Sequence, residues 1–332
     1  MEVCTIEEMQ SPSELGLPAP TSSGPAGQAG NQPSYLTLSS TSELEERAAA
    51  LWSLLESCTL CPRECRVNRL SGKIGVCRTT AEVKVSSYGP HFGEEPELVG
   101  HSGSGTIFFT NCNLWCLFCQ NYTISHLKEG EQISTSQLAE AMLYLQGIGC
   151  HNINFVTPTH VLPQIVKALA LAAKHGLRIP LVYNCGGYES VETLKRLDGI
   201  VDIYMPDIKY SSNENARRYS GAKDYWDRVR PAIKEMHRQV GDLQVSERGI
   251  AERGLLIRHL VLPGDIAGSE EVLKFIATEV STDSYVNIMD QYRPCFKAFQ
   301  FKELSRGITQ KEYNWVLEVA RDYGLHRGFE QL

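Results

Sequence analysis

Cys112, Cys116 and Cys119 fall in one short run, Cys-Asn-Leu-Trp-Cys-Leu-Phe-Cys. The spacing C-x3-C-x2-C lets a single loop wrap three thiolates round one inorganic centre. Thiolates are soft ligands suited to iron–sulfur clusters or zinc. A four-iron cubane would leave one iron without a protein ligand, open to a small molecule. The plainer alternative is structural zinc, which needs a fourth ligand, and the nearest candidate is His126. A second group, Cys58, Cys61, Cys65 and Cys77, is spaced C-x2-C-x3-C-x11-C around Gly72 and Gly75. Four thiolates there satisfy zinc or an auxiliary [4Fe–4S] cluster equally well, so both readings of this candidate second metal site stand. The segment is too short for a core of its own and would need a metal to hold it. Cys4, Cys150, Cys185 and Cys295 read as free thiols. With no secretory signal, the cysteines read as metal ligands before disulfides.

The apolar run Thr106–Thr110 reads as a buried strand, which puts the three clustered cysteines on the loop leaving its C-terminal end. From about residue 100 the chain alternates between strand and helix patterns. Strands are expected over 106–110, 152–156, 181–184, 201–205, 255–262 and 285–289. Helices are expected over 136–145, 163–175, 189–197, 224–240 and 269–280. Six such β/α repeats imply a parallel sheet with right-handed crossovers, an α/β partial barrel. Ligands of such sheets sit at the C-terminal strand ends. There stand Thr157, Thr159 and His160; Asn184; Asp207 and Lys209; Arg258 and His259; Tyr292 and Arg293. Asp207 and Lys209, alternate residues leaving a strand, point the same way.

The organisation expected is a disordered tail over 1–41, a helix plus cysteine-rich metal-binding segment over 42–99, the barrel over 100–308, and a C-terminal helix packed on it over 309–332. Capping boxes are expected at Ser42–Glu45, Ser134–Gln137 and Thr309–Glu312. Gly100–Gly105 opens no helix, so it fails the context of a dinucleotide fingerprint and reads as a flexible lead-in. The net charge is −7, but residues 1–46 hold seven acids and no Lys or Arg, and the rest balances at 32 of each sign. Nothing there resembles a nucleic-acid footprint. No apolar run approaches the ~18–20 residues of a membrane span, and the N-terminus has no basic region leading an apolar stretch. A cytoplasmic protein with neither nucleic acid nor membrane as partner is expected.

The cysteine motif at the end of the first strand of a six-repeat barrel resembles the radical S-adenosylmethionine superfamily. The resemblance implies a [4Fe–4S] cluster on Cys112, Cys116 and Cys119, whose open iron chelates S-adenosylmethionine. It implies a one-electron reductant such as flavodoxin or ferredoxin, and a 5′-deoxyadenosyl radical that abstracts hydrogen. Phe118 would lie against the adenine. Asp202-Ile-Tyr-Met-Pro-Asp-Ile-Lys209, and Arg258 followed by Val261-Leu-Pro-Gly264, resemble the glycyl-radical-enzyme activases, the pyruvate formate-lyase activating enzyme group. By that resemblance Asp207, Lys209 and Arg258 contact the carboxylate and ribose end of the cofactor, and Asn184 is a further cofactor-binding candidate. Two stretches depart from the group. Val156-Thr-Pro-Thr-His160 stands where a Gly-Gly-Glu-type motif binds the methionine amine, and Asn184-Cys-Gly-Gly stands where Asp-Thr-Asn-Gly is usual. The substrate expected is a glycine of a partner enzyme, a residue of another polypeptide, or a small molecule. The alternative of another class is a non-catalytic iron–sulfur or zinc scaffold.

Overall fold

The computed structural model describes residues 32–329. The strands are β1 (Val83–His91), β2 (Ser104–Phe109), β3 (Glu131–Ile133), β4 (Ile153–Val156), β5 (Leu181–Cys185), β6 (Ile203–Pro206), β7 (Gln244–Val245), β8 (Ala251–Leu260) and β9 (Tyr285–Met289). Six of them, β2, β4, β5, β6, β8 and β9, lie side by side in chain order and all parallel. Every residue of β4, β5 and β6 is buried, as expected for parallel strands covered on both faces. No strand among the described residues pairs β9 back to the far edge. The arrangement is a mixed α/β fold with a parallel-rich sheet, consistent with a partial barrel.

Helices Thr135–Gly147, Leu162–Lys174, Val191–Lys195, Tyr225–Val240 and Ser269–Phe275 follow the parallel strands, and Gln310–Asp322 closes the chain. Two of the expected capping boxes form: Ser134 with Gln137 and Thr309 with Glu312. The one at Ser42 does not. Its backbone is turned out of the extended cap conformation, and Oγ donates instead to Glu46 Oε1 at 2.7 Å.

Four further features differ from expectation. Residues 1–31, with Cys4, and residues 330–332 lie outside the described residues, but the end of the expected disordered tail is a helix, Tyr35–Ser39. Tyr35 and Leu38 are buried, Tyr35 OH donates to Ile179 O at 3.0 Å, and Ser34 N–H donates to Asp202 Oδ1 at 2.7 Å. Those apolar side chains anchor what the Pro/Ser/Gly background around them disguised. Strand β1, on the N-terminal side of residue 99, pairs antiparallel with β2 and β3 and so joins the barrel sheet. Gly100–Gly105 is no loose lead-in. Ser104 and Gly105 belong to β2, and a Cβ on Gly105 would stand 2.6 Å from Asn152 O. Finally, a helix over Asn213–Ser220 had no clear sequence signal and ends against the cysteine loop. No helix among the described residues is long and apolar enough to cross a membrane.

Candidate active site

At the C-terminal ends of the parallel strands opens a cavity of about 430 Å³. Cys112, Cys116 and Cys119 reach it from β2, Thr157 from β4, Asn184 from β5, Asp207 and Lys209 from β6, and Arg258 from β8. Phe118 lines it too, its ring wedged between those of Tyr210 and Tyr292 with centroids 6.4 and 5.8 Å away. The three cysteines, Phe118, Thr157, Asn184, Asp207, Lys209 and Arg258 therefore share one cavity, while Thr159, His160, His259, Tyr292 and Arg293 do not line it.

The cysteine loop is shaped by backbone bonds to the helix Asn213–Ser220: Trp115 N–H donates to Ser220 O at 3.0 Å and Leu117 N–H to Tyr219 O at 2.8 Å. Each sulfur meets a polar neighbour. Leu114 N–H donates to Cys112 Sγ at 3.3 Å, Ser220 Oγ–H to Cys116 Sγ at 3.0 Å, and Ser125 Oγ lies 3.2 Å from Cys119 Sγ. Burial, then the Cys116 sulfur nearby, pushes the Cys112 and Cys119 thiols up, while Lys209 pulls them down. Such thiols surrender their protons to a bound metal. Three thiols with hydrogen-bond donors on their sulfurs fit a cluster ligand set, since such bonds tune thiolate clusters. They do not fit a closed zinc site. A closed zinc site needs a fourth protein ligand beside these three. His126, the candidate fourth ligand, bonds Cys116 O through Nε2 at 3.1 Å, and its ring packs against Trp115 and Phe296.

Opposite the cysteines, Lys209 Nζ pairs with Asp207 Oδ2 at 2.5 Å. Burial opposes the Lys209 charge most, but Asp207 with Cys116 and Tyr225 together outweigh it and hold the ammonium above its ordinary range. Tyr225, at the start of its helix, fixes this strand end: its OH contacts Gly186 O, Asp207 O and Lys209 N at 2.9–3.0 Å. Arg258 is held by two acids from the turn after β1. Its Nε and Nη2 donate to Glu95 at 2.7 and 2.6 Å, and Nη2 also donates to Glu94. Burial works against the Glu94 charge, yet His91 and Arg258 together hold its pKa down to about 2. Thr157 has φ +63°, a conformation costly for a β-branched residue, and its N–H bonds Asn184 O at 2.9 Å. The two departures from the activase pattern thus meet at the strand ends.

Other strand-end candidates are engaged elsewhere. His259 is buried between Ile208 O and Ser269 Oγ, Tyr292 OH donates to Leu304 O, and Arg293 is exposed. Thr159 donates to the buried carboxylate of Glu189 at 2.6 Å. His160 lines a separate cavity with Cys58, Cys61, Cys65 and Cys77. Sequence reasoning missed His91 and Glu94 as lining residues and Glu95 as a partner of Arg258. Glu94-Glu95-Pro96, two acids before a proline that starts a helix, was the only trace of the clamp.

Residues 106–276, just over half of the chain, match the family model of the radical SAM superfamily. Over 286 residues, 82% of this chain and 77% of the relative, the sequence is 34% identical to an uncharacterized protein of Methanocaldococcus jannaschii. The site's three unpaired thiols and the extent of these matches agree: the chain belongs to the radical SAM superfamily, enzymes that use a [4Fe–4S] cluster and S-adenosylmethionine for radical chemistry.

Proposed function

We propose that this chain makes a 5′-deoxyadenosyl radical to abstract hydrogen from a residue of a partner polypeptide, a glycine of a glycyl radical enzyme being the case the activase resemblance favours. The observation that carries this reading is the single cavity shared by Cys112, Cys116, Cys119, Asp207, Lys209 and Arg258. A [4Fe–4S] cluster on the three thiolates supplies the electron that splits the sulfonium of S-adenosylmethionine. The protein's part is to hold that cofactor. Lys209 offers a cation to its carboxylate, Asp207 and Glu94 offer charge to its ammonium and ribose hydroxyls, and Phe118 offers a ring edge to adenine. A cavity of about 430 Å³ is near the small end for a ligand site.

Electron supply requires a one-electron carrier such as flavodoxin or ferredoxin. On the outer side of the cysteine loop, Trp115 and Leu117 share a groove with Arg78, Arg217, Arg218 and Lys297, cations that complement an acidic carrier. An oxygen-sensitive cluster and unpaired cysteines suit a reducing cytoplasm. A non-catalytic scaffold is disfavoured because it has no use for a buried lysine, aspartate and arginine facing a cavity.

The test is anaerobic. The iron-loaded chain is reduced, given S-adenosylmethionine, and assayed chromatographically for 5′-deoxyadenosine. Wild type should form it and Cys116→Ala should not. No product from a fully iron-loaded wild type would sink the reading.

A further inference from the structure

Cys58, Cys61, Cys65 and Cys77 line their own cavity together with Arg69 and His160. Arg69 is 1% exposed. Its Nε and Nη2 donate to Thr80 O at 3.1 and 2.6 Å, and its Nη1 lies 3.8 Å from Cys58 Sγ. No carboxylate stands among those partners, so the buried guanidinium has only carbonyl oxygen and cysteine sulfur beside it where a counter-charge belongs. That is a strongly disfavoured state. His160 is equally buried. Its Nε2 must donate to Thr110 O at 2.8 Å, which leaves Nδ1 a bare lone pair, and Nδ1 has no partner.

The backbone is bent to serve the sulfurs. Val76 N–H donates to Cys65 Sγ at 3.3 Å. Glu64, Arg66 and Arg78, each beside a cysteine, adopt φ of 39°, 53° and 59°, a strained conformation for non-glycine residues that persists where surroundings enforce it. A Cβ on Gly75 would lie 2.7 Å from Cys65 Sγ, so only glycine lets the chain close over that sulfur.

We propose that these four thiolates hold a second metal centre, separate from the Cys112–Cys116–Cys119 site. The chemistry is a tetrathiolate metal complex of net negative charge, carried alike by a zinc ion or a [4Fe–4S] cluster. That anion supplies the counter-charge Arg69 lacks, which protonated thiols do not. The centre is a clip on the first cysteine loop. Arg63 Nε donates to Asn113 O at 2.9 Å, Trp115 Nε1 donates to Val76 O at 3.2 Å, and His160 holds Thr110 just ahead of Cys112. The inference goes beyond radical chemistry and stands without it.

Iron, zinc and acid-labile sulfide are counted per chain after anaerobic loading, in wild type and in the triple variant Cys112→Ala/Cys116→Ala/Cys119→Ala. The triple variant should keep about one zinc, or about four irons with matching sulfide, and the element found decides between the two. Adding Cys58→Ser and Cys61→Ser should remove it. A folded triple variant with no metal, beside a wild type with one cluster's worth of iron and no zinc, overturns the proposal. The wild-type count guards against misfolding of the variant. Equal metal in both proteins would instead remove the first cluster and leave the second. Arg69→Gln should release the retained metal to a chelator about tenfold faster than wild type, with Arg69→Lys close to wild type. Equal rates in all three would deny Arg69 its part.

Discussion

Glu189 shows how a single side chain sets a condition on the whole site. It is buried behind the end of β5, where Thr159 Oγ1 and Tyr183 OH donate to its two oxygens at 2.6 and 3.2 Å. Burial outweighs those bonds and raises its pKa to about 7. A carboxyl whose folded pKa exceeds its unfolded one contributes stability below the unfolded value, near 4.5. That contribution is lost as pH rises through about 7. The fold should therefore weaken between mildly acid and mildly alkaline pH. Glu189→Gln keeps the acceptor for Thr159 and has no charge to bury. Its unfolding free energy should pull ahead of wild type as pH rises from about 5 to 8, by ~3 kcal/mol at most. Denaturant titrations at a series of pH values measure this, and parallel curves for the two proteins would refute it. Residues at this scale were legible where the chemistry was loud. Three cysteines in a loop announce themselves. A lone Glu after two glycines does not, because only the fold reveals that it faces inward.

At the scale of elements, the central strands could be read from the chain because β4, β5 and β6 are buried throughout, which makes them short, mostly apolar runs broken only by Asn154 and Asn184. Their C-terminal ends then located Thr157, Asn184, Asp207 and Lys209 by rule. Strand β1 escaped notice because its run, Val-Lys-Val-Ser-Ser-Tyr-Gly-Pro-His, is half-exposed and ends in turn residues. With it went the turn that carries Glu94 and Glu95 to Arg258, a contact between residues more than 160 positions apart. That clamp joins the antiparallel edge to β8 and, through Asn287 Nδ2 at 2.7 Å from Glu95 Oε1, to β9. Arg258→Ala would leave two buried carboxylates without their cation, which costs about 3–5 kcal/mol. Urea unfolding at pH 7 should show that loss, with Glu95→Gln milder. A loss under about 1 kcal/mol, the worth of a surface pair, would mean that the clamp does not hold the open side of the sheet.

For the molecule as a whole, the cavity and the groove lie on opposite sides of one loop: Cys116 and Cys119 face the first, Trp115 and Leu117 the second. Outside residues 1–46 the chain's charges balance, so four cations gathered in the groove are a local excess. Arg78 stacks over Trp115 at 3.7 Å and Lys297 over Phe296 at 5.3 Å, which fixes charge against apolar surface. Arg218 is partly spent on Glu303 at 2.5 Å. Arg217 and Lys297 are exposed and so the ones to reverse. Charge complementarity acts mainly on encounter and is screened by salt. With reduced flavodoxin as donor, Arg217→Glu/Lys297→Glu should form 5′-deoxyadenosine about tenfold more slowly than wild type at low ionic strength. With dithionite, a small donor that needs no docking, the two proteins should match. Added salt should slow the wild type towards the variant and leave the variant little changed. A variant as fast as wild type with flavodoxin, or equally impaired with both donors, would show that the groove does not receive the carrier.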